Sequence, residues 1–146
     1  MYIFLDFDGV LRRLSSATSR FEPELLKNFE SVVRPVAEVK IIIASAWRLE
    51  MPLNELQQLF SPDVAERVVG ATPEHLALTA HSRYNEVRSY LKTAQAIQAT
   101  WLAIDDDPAH YPDDAPLLIT DPYQGFDQAC ADRLLEFFHH CQYSVD

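Results

Sequence analysis

The chain opens with MYIFLDFDGVL over residues 1–11, an apolar run that stops at two aspartates and a glycine. A short, continuous apolar run bounded by turn residues suits a strand covered on both faces, so Tyr2 to Leu5 reads as a buried strand. Asp6 and Asp8 follow it directly, two residues apart, and a turn at Gly9 lets both carboxylates face one cleft. Working outward, residues 9–21 hold Arg12, Arg13 and a Ser/Thr cluster and read as a loop or small hairpin flap. Pro23, a favoured first-turn residue, starts a helix to about Val33, with Leu25, Leu26, Phe29, Val32 and Val33 on one face. Val39 to Ala44, centred on Ile41-Ile42-Ile43, is the second buried strand.

Further on, Leu53, Leu56, Leu59 and Phe60 recur at helical spacing and predict a helix over Pro52 to Phe60. Ser61-Pro62 has the form of a cap and first turn. Val68-Val69 before Gly70 reads as a short third strand. A helix is predicted from Ser82, as its cap, to about Thr93, with Val87, Tyr90 and Leu91 inward. Trp101–Ile104 and Leu117–Ile119 are further strands. Asp127 then caps a final amphipathic helix carrying Leu134, Leu135, Phe138 and Cys141. This alternation predicts an α/β fold, a three-layer sandwich around a mainly parallel, Rossmann-like sheet with right-handed crossovers. No repeat, low-complexity tract or linker interrupts it, and residues 1–146 are expected to form a single domain.

The composition narrows the function classes. With 146 residues, 48% of them hydrophobic, the chain has enough apolar surface for one real core. Its formal charge of -10 repels polyanions and anionic membranes at long range, which argues against an extended nucleic-acid footprint. A local cationic pocket is compatible with that total. Cys130 and Cys141 have neither CxxC pairing nor a matching histidine spacing, which fits free thiols in a reducing compartment. The opening run lacks a basic n-region and breaks at Asp6, so it is neither a signal peptide nor a membrane span. A cytoplasmic protein is expected.

Four features fall where an open α/β sheet places its ligand site, just beyond the carboxyl ends of the strands. They are the Asp6/Asp8 pair, Ser45 after Ile41-Ile42-Ile43-Ala44, Arg83 at the start of a helix, and Asp105-Asp106-Asp107 after Trp101-Leu102-Ala103-Ile104. Carboxylates crowded together repel, and one of them holds a proton unless a cation intervenes. Mg2+ takes oxygen ligands, keeps several waters, and uses a couple of carboxylates plus a substrate phosphate. Asp6, the Asp8 carbonyl and Asp106, with Asp105 beside them, match that need. Arg88 and Lys92 lie on the same helix as Arg83, and Lys92 is the alternative cation.

The strand-DxDGVL opening, the later strand-Ser and the strand-Asp-Asp together resemble the haloacid-dehalogenase (HAD) superfamily of phosphatases. In finer detail the chain is similar to the HAD domain of Swiss Army Knife RNA-repair proteins, through Ser45-Ala46-Trp47-Arg48, Gly70-Ala71-Thr72-Pro73, Arg83 with Glu86-Val87 and Tyr90-Leu91, Ile104-Asp105-Asp106-Asp107, Ile119-Thr120-Asp121 and Gly125-Phe126. The resemblance implies roles. Asp6 is the nucleophile that forms an aspartyl-phosphate, and Asp8 is the general acid and then base. Ser45 is a donor to a phosphoryl oxygen, Arg83 is the cation on the transferring group, and Asp106, with Asp105, is a magnesium ligand. It also implies a HAD-like fold, here without spare length for a full cap domain. An uncapped cleft admits a bulky or macromolecular phosphate.

The leading expectation is a Mg2+-dependent phosphomonoesterase. The alternatives are a polynucleotide-end phosphatase, with Arg12, Arg13, Arg20 and Arg48 as a local basic rim, and a phosphate-binding module without turnover. Blander readings apply to single residues. Aspartates after strands also cap turns. Arg48 either lines the anion site or pairs with Glu50, Asp107 is a turn residue before Pro108, and Asp121 is a loop acid. His139-His140-Cys141 is no shared metal site, because adjacent helical residues do not face one another. Trp47 and Trp101 belong to the core.

Overall fold

In the computed structural model, which describes residues 1–74 and 80–143, the strands are β1 Tyr2–Leu5, β2 Lys40–Ile43, β3 Val68–Ala71, β4 Trp101–Asp105 and β5 Leu117–Ile119. They form a five-stranded sheet in the order β3-β2-β1-β4-β5, parallel at every pairing. Ile3 aligns with Ile41 and Leu102, and Leu5 with Ile43 and Ile104. Helices cover both faces, which is why β1 and β2 read as unbroken apolar runs: Ile3, Phe4, Leu5 and Ile41 to Ile43 are all fully buried.

The flanking helices are α1 Pro23–Val33, α2 Leu53–Gln57, α3 Pro62–Ala65, α4 Ser82–Thr93 and α5 Gln128–Tyr143. From β1 the chain steps outward to β2 and β3, then returns past β1 to β4 and β5. Crossovers keep one hand, so reversing the direction of travel moves the connecting helix to the other face. The core shows this. Leu5 and Ile43 pack with Phe29 and Val33 of α1 and Leu134 and Phe138 of α5. Phe4, Ile42 and Ala103 pack with Val87 and Leu91 of α4. The crevice between β1 and β4, whose connections leave in opposite directions, is the switch point where such sheets bind ligands.

Local chemistry explains where the elements depart from the sequence pattern. The predicted helix over Pro52 to Phe60 is shorter, Leu53–Gln57. Pro62 forces Ser61 into an extended conformation (ψ 147°), so the chain leaves the helix before it. Leu56 and Phe60 are nevertheless buried as expected. Ser82 does not cap α4; it is the first helical residue, and His81 is the cap in a left-handed conformation (φ 60°, ψ 46°). Asp127 does cap α5, accepting from the Cys130 N–H at 3.0 Å. On that helix Leu134 and Phe138 are buried, whereas Leu135 is 43% exposed, one helical step off their stripe. Residues 9–22 form a loop with an isolated bridge between Asp8 and Arg12.

Candidate active site

Register brings the acidic groups together. Leu5 pairs with Ile104, and the Asp6 N–H continues the ladder onto the Ile104 carbonyl at 3.0 Å. Asp6 and Asp105 are therefore neighbours beyond the paired ends. Side chains alternate along a strand, so Asp6 shares the face of Phe4, the face covered by α4. One carboxylate oxygen from each of Asp6, Asp105 and Asp106 lies within 4.8 Å of the others. Asp6 and Asp105 are buried, and Asp106 is partly exposed. The chain makes room for this approach at Gly9 (φ 80°), where an added Cβ would overlap the Asp106 carboxylate. The Thr120 hydroxyl, after β5, holds the Gly9 carbonyl at 2.7 Å.

Asp8 lies at the rim. One of its oxygens accepts from the Arg12 guanidinium at 3.1 Å, and the other from the Trp47 indole N–H at 3.0 Å. Trp47 also packs edge-on against Phe7, with ring centroids 5.3 Å apart. It is thus a partly buried aromatic packed against the core that also orients an aspartate. Among the described residues nothing donates to the Asp8 backbone carbonyl, which stays available as a ligand.

Opposite the acids, the ends of β2, β3 and α4 converge. Ser45 is 1% exposed, and its Oγ accepts from the Trp47 N–H at 3.2 Å, which leaves the hydroxyl proton for a ligand. Arg48 neither lines an open anion site nor pairs with Glu50. Its side chain is 3% exposed and donates to the carbonyls of Thr72 (2.8 Å) and Ser45 (3.0 Å) and to Glu86 (2.6 Å). Glu86 also takes the Arg83 guanidinium, at 3.3 Å. Among the described residues this is Arg83's one ion pair, so most of its five donors are uncommitted. Lys92 is nine residues further along α4, about 13 Å along the axis at 1.5 Å per residue, and is exposed. The cation near the acids is Arg83.

The electrostatics follow from this crowding. Burial, reinforced by the charge on Asp105, pushes the Asp6 carboxyl well above the usual range, against the opposing pull of the Phe7 N–H and Arg83. Burial, with a hydrogen bond and charge from Asp105, raises Asp106 to about 6. Asp105 is fully buried yet satisfied: it accepts from the Asp107 N–H at 2.9 Å and contacts His110 Nδ1 at 3.2 Å. That hydrogen bond raises the pKa of His110. The cluster is short of positive charge, and its donors are hard oxygens. These are the conditions a small divalent cation relieves, and the carboxylate oxygens of Asp6, Asp105 and Asp106 fit one such as magnesium.

Other sequence candidates fall outside the cluster. Asp107 accepts from the Ala109 N–H at 2.9 Å, and Asp121 from the Tyr123 N–H at 2.9 Å, both as turn residues. His139, His140 and Cys141 form no shared ligand set; among the described residues the acidic trio alone meets that geometry. The basic rim is largely neutralised: Arg12 pairs with Asp8, Arg13 with Glu22, and Arg48 with Glu86, leaving Arg20 exposed and, among the described residues, without an ion pair. His110 and Tyr111 were missed. Asp107-Pro108 gave a signal for His110, since a capping aspartate before proline starts the tight turn that folds residue 110 back over Asp105. Tyr111 is buried, with Asp105 and Asp6 close enough to help burial raise its pKa; no local pattern marks it.

No curated protein matches the chain. A family model described as the HAD domain in Swiss Army Knife RNA repair proteins matches residues 2–131, a span that contains Asp6, Asp105 and Asp106 as well as Arg48 and Arg83. The chain belongs to this family of HAD domains.

Proposed function

We propose that the protein is a Mg2+-dependent phosphomonoesterase working through an aspartyl-phosphate on Asp6. The observation that carries this reading is the convergence of Asp6, Asp105 and Asp106 at the β1–β4 crevice, facing a guanidinium whose donors are mostly uncommitted. An Asp6 carboxylate oxygen attacks phosphorus and the ester P–O bond breaks, while Asp8 in its acid form protonates the departing oxygen. Asp8, now a carboxylate, takes a proton from a water whose oxygen attacks the aspartyl-phosphate; orthophosphate leaves and the Asp6 carboxylate is restored. Dividing the hydrolysis in two is the covalent strategy, and the acid/base help is worth roughly a hundredfold to ten-thousandfold. Ser45 and Arg83 donate to the phosphoryl oxygens, where losing one donor costs about a hundredfold to a thousandfold. Magnesium, when bound by Asp6, Asp106 and the Asp8 carbonyl, supplies positive charge beside the transferring group.

Hydrolysis of p-nitrophenyl phosphate with and without Mg2+ tests the reading. Asp6→Asn is expected to lose at least about a thousandfold in rate while staying folded. Wild-type turnover in that variant would sink the proposal.

The connections after β1 and β2 hold a loop, α1 and short helices, which supports an uncapped cleft and a bulky substrate. The family description favours a second reading, a phosphatase for polynucleotide ends. The net charge of -10 and the paired arginines of the rim weigh against tight nucleic-acid binding. End-labelled RNA and DNA oligonucleotides decide between the two: no preference over p-nitrophenyl phosphate ends the narrower reading. We further assign the protein to the cytoplasm, where the thiol of buried Cys130 stays reduced. No helix among the described residues is long and apolar enough to cross a membrane.

A further inference from the structure

We infer that Glu86 and Arg48 are positioning residues that aim Arg83 at the phosphoryl group and lock the anion-binding side of the cleft into one unit. The inference rests on the phosphatase reading of the same site. Glu86 is 5% exposed and divides its two carboxylate oxygens between two cations, Arg48 at 2.6 Å and Arg83 at 3.3 Å. Burying charge is expensive unless it is paired, and a strut between two elements needs only one cation for one anion. Here one carboxylate holds two guanidiniums, and the charge of Glu74 also lies near Arg48.

The hydrogen bonds distinguish the two cations. Arg48 is consumed: Nε, Nη1 and Nη2 all donate within the protein, to Thr72, Ser45, Glu86 and, at 3.4 Å, the Pro73 carbonyl. Arg83 is 17% exposed by its side chain and touches the network through one nitrogen. Arg83 therefore keeps donors for a ligand, and it lies near enough to Asp6 to pull its pKa down against burial. Arg48 reaches the chain just after β2, at the residue whose hydroxyl is the proposed phosphoryl donor, and just after β3. Through Glu86 the same guanidinium is tied to the first turns of α4. Ser45 and Arg83 come from distant parts of the sequence, and this bridge fixes their separation. Without the Glu86 charge, Arg83 is drawn to the Asp6 and Asp105 carboxylates and covers the nucleophile.

A double-mutant cycle tests this. Orthophosphate affinity is measured by calorimetry in Mg2+ for wild type, Glu86→Gln, Arg83→Ala and the double variant, with kcat/KM for p-nitrophenyl phosphate on the same four and thermal melts to confirm folding. Glu86→Gln is expected to weaken orthophosphate binding about tenfold in the wild-type background and less than about twofold in the Arg83→Ala background, since a residue acting through another has no effect once the other is gone. Equal losses in both backgrounds, or no loss, overturn the inference. If Glu86→Gln does not fold, Arg48→Lys replaces it in the cycle, keeping the charge and losing the fork. Coupled binding without turnover refutes the hydrolase reading and leaves this one standing. Turnover with an additive cycle refutes this one alone, and a wild type that binds no orthophosphate overturns both.

Discussion

Gly9 shows how one residue controls the cluster. Its φ of 80° suits glycine, and the space a Cβ would take is filled by the Asp106 carboxylate. Gly9→Ala is expected to cost about 1–3 kcal/mol through the strained backbone, and to turn Asp106 out of the cluster. Urea unfolding reads the first effect. Calorimetric titration with Mg2+ reads the second, as an affinity loss larger than the stability change accounts for. Trp47 tests orientation. Trp47→Phe keeps the packing on Phe7 and removes the indole N–H that holds Asp8. Its kcat is expected to fall about tenfold, the worth of a good hydrogen bond, with KM little changed. Unaltered kcat would show that Arg12 alone orients Asp8.

At the scale of elements, the short helices depend on side chains lent by longer ones. Glu30 of α1 is 4% exposed, and its oxygens accept from the Ser61 N–H at 2.8 Å and the Ser61 hydroxyl at 2.7 Å. It thereby satisfies the start of α3, where Ser61 makes no side-chain cap of its own. Glu30→Ala leaves these part-buried donors unpaired, and about 1–3 kcal/mol of stability is expected to go, by urea unfolding. None of these groups touches the acidic cluster, so p-nitrophenyl phosphate turnover is expected to stay within about twofold. The four-residue α3 could not be read as helical from periodicity, because a single turn carries none. Its Ser61-Pro62 start was legible all the same.

For the whole molecule, the crowded acids couple stability to pH and to metal. Asp106 titrates near 3.8 when unperturbed and at about 6 in the fold. Between those values the folded state binds more protons than the unfolded one, so metal-free stability falls as pH rises through that window. Asp6 is shifted in the same direction. His110, raised above 6.5 by Asp105, adds stability present at low pH and lost as pH climbs through its folded value. The metal-free Tm is therefore expected to drop from pH 5 to pH 7.5. Added Mg2+, which binds ionised carboxylates, is expected to restore it at pH 7.5 and to do little at pH 5. A Tm that rises with pH in EDTA would contradict the arrangement of Asp6, Asp105 and Asp106.

What the chain declares locally is considerable. Strand and helix order, and Asp6, Asp8, Ser45 and Asp105-Asp106 placed just after strands, follow from apolar periodicity and from turn residues at the ends of buried runs. These signals are short-range, and the backbone obeys them wherever the segment is packed. Its place in the first turn of α4 favours Arg83 over Lys92, and packing brings it near enough to act on Asp6. Three-dimensional packing alone decided that Arg48 is consumed by Glu86 and backbone carbonyls, and that His110 and Tyr111 back the cluster. Those outcomes depend on which distant segments become neighbours, and that is set by the strand order β3-β2-β1-β4-β5 and the fixed hand of the crossovers rather than by any pattern along the chain.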